Sequence, residues 1–433
     1  MKTAFRKVVA YILRLESKLV IWKYRPKIVA ITGSVGKTST KDAVYAVISG
    51  VSYVRKSEKS YNSQIGLPLT ILGCPNGWNN PLIWLLNILK GMWLFLWPHK
   101  YPKWLVLEVG VGKPGDMRET ALWLKTDIVI ITAIGSTPAH IEFFNSKKHL
   151  IEEKSALIKT LKKDGILILN NDDEAVMEMK SKTKNRVVTF GFKDESDIKG
   201  SAENIFYNKK GIPEGIVFRI DENGNSLPVV IEGVFGRNHV YASFGALALA
   251  YALKWNILEA ISRLKAYSVP PGRMRLFKGL RQSFIIDDTY NSSPFACESA
   301  IKTLSEVKTT GRKIAVLGDM LELGRHTEEA HRDIGKFAKE KVDVLVVVGS
   351  RAKKIKEGAI EAGMKEENIF EFSNSKEAGK FLKDFIQEGD FILVKGSQGM
   401  RMERTVEAIL SLADKKNKSK LLVRQDEEWL KKR

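Results

Sequence analysis

Lys27-Ile28-Val29-Ala30-Ile31-Thr32-Gly33-Ser34-Val35-Gly36-Lys37-Thr38-Ser39 is the stretch whose reading decides the fold. A β-rich run ends at Gly33, glycines frame a short turn, and a helical pattern opens near Lys37. Strand, glycine loop and helix in that order make a phosphate-binding unit. Glycines let backbone N–H groups approach phosphate oxygens, and the helix N-terminus adds positive potential. Lys37 then neutralises β/γ charge and Thr38 offers a hydroxyl to Mg²⁺, so Gly33, Ser34, Val35, Gly36, Lys37, Thr38 and Ser39 are the expected triphosphate cradle.

Outward from this loop, apolar β-type runs recur at Trp104–Glu108, Ile128–Ala133, Gly165–Leu169, Ile285–Asp287, Lys313–Leu317, Val342–Val348 and Phe391–Val394. Most are separated by helical patterns, which predicts parallel α/β sheets covered on both faces. Residues 201–235 break the rhythm with short alternating segments and the turn Asp221-Glu222-Asn223-Gly224-Asn225, predicting an antiparallel patch. Two prolines in Ser268-Val269-Pro270-Pro271-Gly272 mark a domain boundary. The expected architecture is α/β: a central P-loop ATPase domain with a mostly parallel sheet over 27–268, and a smaller Rossmann-like α/β domain over 269–414.

The 433 residues suit two or three domains, and 44% hydrophobic with 28% charged residues excludes a wholly disordered or collagen-like chain. Cys74 and Cys297 stand far apart, which fits neither a zinc ribbon nor a disulfide framework and points to a reducing cytoplasm. The formal charge is +20, of which residues 1–27 carry +7 and residues 415–433 carry +5. Basic ends suit an anionic surface better than a DNA-reading groove, and no nucleic-acid partner is expected.

Residues 1–26 lack an uninterrupted apolar core and a small-residue cleavage site, so no secretory leader is expected. They read as a basic amphipathic helix, with Phe5, Val8, Val9, Ile12, Leu15, Leu19 and Trp22 on one face and Lys7, Arg14, Lys18 and Arg25 on another. Such a helix lies on an anionic membrane or packs on the following domain. A Trp-rich insertion over about 74–103 holds the apolar segment 82–97, which at 16 residues is short for a membrane span of ~20. It reads as an interfacial element or as a packed helical hairpin. Residues 415–433 read as a basic tail.

Carboxylate and imidazole at the ends of later β-runs, Glu108 and His140, are candidate Mg²⁺ ligands. Read alone, each also fits a surface or capping residue.

The loop is followed by Tyr61-Asn62-Ser63-Gln64-Ile65-Gly66-Leu67-Pro68, Glu108-Val109-Gly110, His140-Ile141-Glu142, Lys154 and Asn170-Asn171-Asp172-Asp173. Then come Gly236-Arg237-Asn238-His239, Gly272-Arg273-Met274, Asp287-Asp288-Thr289-Tyr290-Asn291, Gly318-Asp319-Met320-Leu321-Glu322-Leu323-Gly324 and Lys395-Gly396-Ser397. In this order, over about residues 27–410, the chain resembles the Mur ligase family. The Asp-Asp-Thr-Tyr-Asn and Gly-Asp-Met-Leu-Glu-Leu-Gly blocks are most similar to members that add D-alanyl-D-alanine to a muramoyl tripeptide.

The resemblance implies an ATP-dependent amide ligase of peptidoglycan synthesis that phosphorylates a substrate carboxylate and lets an amine displace the phosphate. It implies two Mg²⁺ ions, the first on Thr38 and Glu108 and the second near His140 and a carbamylated Lys154. Lys37, Glu108, His140 and Lys154 would be catalytic. Asn170, Asp173, Asn238, His239, Arg273 and Asp288 would border the ATP, and Asn62, Tyr290, Asn291, Asp319, Glu322 and Lys395 the substrates, a peptidoglycan precursor and D-Ala-D-Ala.

The sequence departs from the family in having only about 30 residues before the phosphate loop, where a UDP-binding domain is expected. It thus also admits a related ligase acting on a lipid-linked or other non-UDP acceptor at the inner face of the membrane. The reading from another class is a membrane-associated ATP-binding subunit without ligase activity.

Overall fold

The computed structural model describes residues 3–58, 61–135, 141–222 and 225–431. Nine strands form the first sheet: β1 (Lys27–Thr32), β2 (Val54–Lys56), β3 (Trp104–Glu108), β4 (Thr126–Ile131), β5 (Leu161–Asn170), β6 (Arg186–Gly191), β7 (Ile198–Tyr207), β8 (Pro213–Glu222) and β9 (Asn225–Glu232). Their order is β2-β3-β1-β4-β5-β6-β7-β8-β9. Pairing is parallel as far as β7, while β7, β8 and β9 pair antiparallel, as the alternation over 201–235 predicts.

Five of the six β1 residues are buried because layers cover both faces of the sheet. Val29 and Ile31 pack toward α2 (Lys37–Ser49) and the alanine-rich helix Arg237–Ala252. Ile28 and Ala30 pack toward α1 (Thr3–Tyr24), α3 (Gly66–Leu72) and α4 (Pro81–Leu96). The register pairs Ile31 with both Glu108 and Ile130, so the C-terminal ends of β1, β3 and β4 meet where the phosphate loop begins. Ligands of parallel α/β sheets bind at such ends.

The second sheet holds β10 (Arg275–Lys278), β11 (Phe284–Asp288), β12 (Lys313–Gly318), β13 (Val344–Val348), β14 (Ile369–Phe372) and β15 (Phe391–Lys395). Its order is β10-β11-β15-β12-β13-β14, parallel except for β10.

One expectation is corrected. Helix α1 packs on the sheet layer, but through Val9, Leu13, Glu16, Ser17 and Val20. Of the expected apolar face, Val8, Leu15, Leu19 and Trp22 are exposed. In the basic tail, residues 418–430 fold back in short helical turns, with Leu422, Val423 and Arg424 buried. The 82–97 segment becomes α4, started by the Asn80 side chain accepting from the Leu82 amide at 2.9 Å and by Pro81 in the first turn. It packs through Trp84, Asn87, Gly91 and Leu94. Among the described residues, no helix is long and apolar enough to cross a membrane.

Candidate active site

Gly33 has φ 147°, and a β-carbon there would lie 2.0 Å from Thr132 Oγ1. The Thr132 hydroxyl is fixed by the Val35 carbonyl at 2.6 Å, so only glycine lets the loop pass this close to β4. The Ser34 and Val35 amides donate to the Ala133 carbonyl, at 2.6 and 3.2 Å. Gly36, at φ 84°, opens α2, whose first-turn amides have no intrahelical acceptor. The loop is thereby tied down on its β4 side with a helix N-terminus at its far end, an arrangement that binds anions.

Three lysines surround it. Lys37 Nζ donates to the carbonyls of Gly33 (2.8 Å) and Ser34 (3.3 Å). Lys154, carried by the helix Lys147–Ser155, donates to the same Gly33 carbonyl at 3.0 Å. Lys41, one turn after Lys37, is 1% exposed, donates to the Ser57 carbonyl at 2.9 Å and lies 4.0 Å from Glu108 Oε2.

Burial lowers the pKa of Lys37, with Glu108 opposing the shift and Arg273 adding to it. Burial and then the neighbouring Lys37 charge push Lys154 well below its ordinary range. Two amines share one carbonyl in this desolvated pocket, and both causes disfavour the charged form of Lys154.

Glu108, at the end of β3, is 1% exposed. Its Oε1 accepts from Asn62 Nδ2 at 3.2 Å, while Oε2 is buried without a hydrogen-bond partner among the described residues. A desolvated carboxylate oxygen beside a phosphate loop is suited to a cation. Among the described residues there is no group of three or more His, Cys, Asp or Glu able to hold a metal. Among the described residues the candidate donors are the Glu108 carboxylate and the Thr38 hydroxyl, which suit Mg²⁺, an ion held by few protein ligands plus substrate phosphates and water. His140 lies outside the described residues.

The second sheet contributes the opposite wall. Arg273 Nη2 donates to Thr38 Oγ1 at 3.2 Å, and its guanidinium stands 4.0 Å over the Tyr290 ring. Its Nε is buried without a partner among the described residues. Arg273 is held by His239, whose ring nitrogens lie 2.8 Å from the Tyr267 hydroxyl and 2.9 Å from the Arg273 carbonyl. Burial lowers the His239 pKa to about 4, so it is neutral near pH 7. Asp288 sits under Lys395 Nζ at 2.5 Å, and that amine also donates to the Asn291 carbonyl at 2.9 Å.

The phosphate loop, Asn62, Glu108, Asn238, His239, Arg273, Asp288, Tyr290, Asn291 and Lys395 line one cleft of about 360 Å³. Asn238 also borders an adjoining groove with Asn170 and Asp173. Asp173 spends its carboxylate on the Ile134 amide (2.7 Å), the Gly135 amide (3.2 Å) and the Val176 amide (3.2 Å), so it shapes the turn after β4. A second cavity of about 680 Å³ shares Ser34, Lys37 and Asn62 with this cleft and is lined further by Lys154 and by Arg6, Lys7, Tyr11 and Arg14 of α1.

Asp319 and Glu322 line neither the cleft nor this cavity. The Asp319 carboxylate accepts from the Ala352 amide at 2.7 Å and its carbonyl from the Ser397 amide at 3.0 Å, bracing the second sheet's loops. Sequence reasoning missed Lys41, although its four-residue step from Lys37 puts both on one helical face. It also missed Arg424, which donates to the Thr289 carbonyl at 3.1 Å, the Tyr290 carbonyl at 2.5 Å and Glu403 at 2.7 Å; nothing in its charge-rich surroundings marks it.

The family description "Mur ligase middle domain" matches residues 31–250, just over half of the chain, and "Mur ligase, glutamate ligase domain" matches 272–398. The UDP-N-acetylmuramoyl-tripeptide--D-alanyl-D-alanine ligase of Bacillus subtilis (strain 168) is 28% identical over 401 residues, covering 92% of this chain and 79% of that protein. Among solved structures, MurF ligase from Thermotoga maritima in complex with ADP superposes with a TM-score of 0.75 at 24% identity, over 92% of this chain and 83% of that one. MurF from Acinetobacter baumannii gives 0.74 at 23% identity, over 93% and 80%. These two likenesses establish the shared fold.

Proposed function

We propose that this chain, which belongs to the Mur ligase family, is an ATP-dependent peptide ligase that joins D-alanyl-D-alanine to a muramoyl-tripeptide precursor of peptidoglycan through an acyl phosphate. The observation that carries the reading is the buried Glu108 Oε2, which accepts no hydrogen bond among the described residues and has only Lys41 Nζ at 4.0 Å, in a cleft with Lys37 that Arg273 closes by reaching Thr38. The similarity to the Bacillus subtilis ligase supports the choice of substrates. ATP and such precursors place the reaction in the cytoplasm.

Residues 27–268 supply the nucleotide cradle and 269–414 the cap. A carboxylate oxygen of the acceptor attacks the γ-phosphorus as the bond to ADP breaks, giving an acyl phosphate. The amine nitrogen of the incoming dipeptide then attacks the acyl carbon, inorganic phosphate leaves, and the amine loses a proton. Lys37 and Arg273 stabilise charge on the transferring group, and Lys395 fixes Asp288 and Asn291 on the side the amine enters. Thr38 and Glu108 would hold Mg²⁺, which when bound neutralises phosphate oxygens. Carbamylation of Lys154, in which the deprotonated amine adds CO₂ and releases a proton, would supply a carbamate oxygen as a further ligand; His140, the other residue of that reading, lies outside the described residues.

The test is phosphate release from ATP with Mg²⁺, UDP-muramoyl tripeptide and D-Ala-D-Ala, each omitted in turn, with the product weighed. Release that requires both substrates and yields the condensed mass is expected; hydrolysis indifferent to them would refute the ligase. A second reading, an acceptor on a carrier other than UDP, is favoured by one observation: α1, outside the matched segment, walls the cavity beside Lys154.

A further inference from the structure

Among the described residues, twenty-two large hydrophobic side chains are exposed, and thirteen of them lie on α1 or within residues 82–97. Such concentration is foreign to a solvated surface, where exposed apolar residues are scattered. On α4 the outward set is Leu82, Leu85, Leu86, Leu89, Trp93 and Leu96, at steps of three and four, each at least half exposed. On α1 it is Val8, Tyr11, Leu15, Leu19 and Trp22, at the same spacing. Both helices bury their other faces against the sheet layer and against each other. Lys23 Nζ donates to the Phe95 and Trp97 carbonyls, each at 2.6 Å, and Glu16 lies against Gly91. The two outward stripes are thus presented by one packed helix pair.

Charge identifies the occupant. Lys7 and Lys18 stand exposed on α1, on the flank of the apolar stripe turned away from the α4 contact, and Arg25 is exposed just after the helix ends. Lys90 is exposed on α4 and donates to the Gly73 carbonyl, and Lys100, exposed after the helix, stands 5.7 Å over the Tyr53 ring. An apolar stripe with tryptophans along it and cations at its edge matches a membrane interface, where acyl chains take the apolar face and anionic headgroups the cations. A second copy fits worse, because a two-fold contact through this face sets the basic edges of both copies near one another.

We propose that α1 and α4 form a platform that seats the protein on an anionic phospholipid bilayer without crossing it. The inference rests on this surface and not on the reaction assigned above. It also gives the α1-walled cavity a setting. Arg6, Lys7 and Tyr11 of α1 line that cavity, so the helix that carries part of the platform also walls the cavity.

The experiment is co-sedimentation of the full chain with phosphatidylglycerol-containing vesicles and with pure phosphatidylcholine vesicles, at low and high salt, with light scattering of the free protein. Sedimentation with the anionic vesicles, weakened by salt, is expected. The outward-face variant Leu86→Ser/Leu89→Ser/Trp93→Ser is expected to lose binding by about tenfold or more with unchanged thermal unfolding. Lys18→Glu/Arg25→Glu should erase the preference for anionic vesicles. A full chain that stays in the supernatant overturns the proposal. So does a dimer that the outward-face variant converts to monomer, since the face then belongs to a second copy. Because the readout needs no turnover, an inactive ligase leaves this result standing.

Discussion

Lys37→Ala removes the amine that donates to the Gly33 and Ser34 carbonyls and with it the charge facing a transferring phosphoryl group. ATP-dependent phosphate release should vanish while the unfolding midpoint stays close to that of the parent, measured by colorimetric assay and circular dichroism. His239 makes a different kind of prediction. Its folded pKa is about 4 against an ordinary 6.5, because burial disfavours the imidazolium. Its neutral form is bound in the fold, so its stability contribution is full above pH 6.5 and is lost as pH falls through 4. The gap in melting temperature between the parent and His239→Gln should narrow from pH 7 to pH 4. At this scale the sequence announces groups whose spacing is chemical, such as Lys37-Thr38. It cannot announce Lys154, a helix-borne lysine until folding sets it on Gly33, and here only the family resemblance supplied it. Asp319 and Glu322 stand in an equally conspicuous motif, yet the Asp319 carboxylate is consumed by the Ala352 amide.

Between elements, the contact of α1 with α4 contains a buried acid. Glu16 is raised from 4.5 to about 7 by burial, its Oε2 has no hydrogen-bond partner among the described residues, and a β-carbon on Gly91 would lie 2.1 Å from that oxygen. Cys74 in the same layer feels the charges of both Glu16 and Lys90. A raised carboxyl costs nothing below pH 4.5, and its penalty is complete once pH passes 7. Glu16→Gln should therefore raise the melting temperature more at pH 8 than at pH 5. The folded-back segment 418–430 gives the other element-scale test. Arg424→Ala leaves two backbone carbonyls and one Glu403 oxygen short of a partner, with Arg401 still bonded to the second Glu403 oxygen at 2.6 Å. A loss of about 2–4 kcal/mol in denaturant unfolding is expected, with weaker ATP affinity because Tyr290 no longer backs Arg273. Helix α1 shows why faces are harder to read than helices: apolar residues occupy two sides of it, and Glu16 and Ser17 lie on the side that is buried.

Across the molecule, the cleft has walls from both sheets, joined at Arg273 and Thr38. Mg²⁺-ATP should thus stabilise the two against unfolding together. At a hundredfold excess over the dissociation constant the gain is about 2.7 kcal/mol, visible as a single shifted transition and absent in Lys37→Ala. The two sheets and the antiparallel extension were legible because period and length separate strands from helices. The enclosure of the cleft was not, since Arg273 and Thr38 lie 235 positions apart and only tertiary packing brings them together. Strand β15, the last of the second sheet, lies between β11 and β12, which precede it by about a hundred and eighty residues respectively. Until it inserts, β11 and β12 each keep an open edge able to pair with another chain, and long-range closure of this kind is slow. The end of β15 carries Lys395, so the strand that completes the sheet also delivers the amine that fixes Asp288. A refolding experiment should find nucleotide binding recovering no faster than this strand's amide protection, with aggregation competing at high concentration until both are complete.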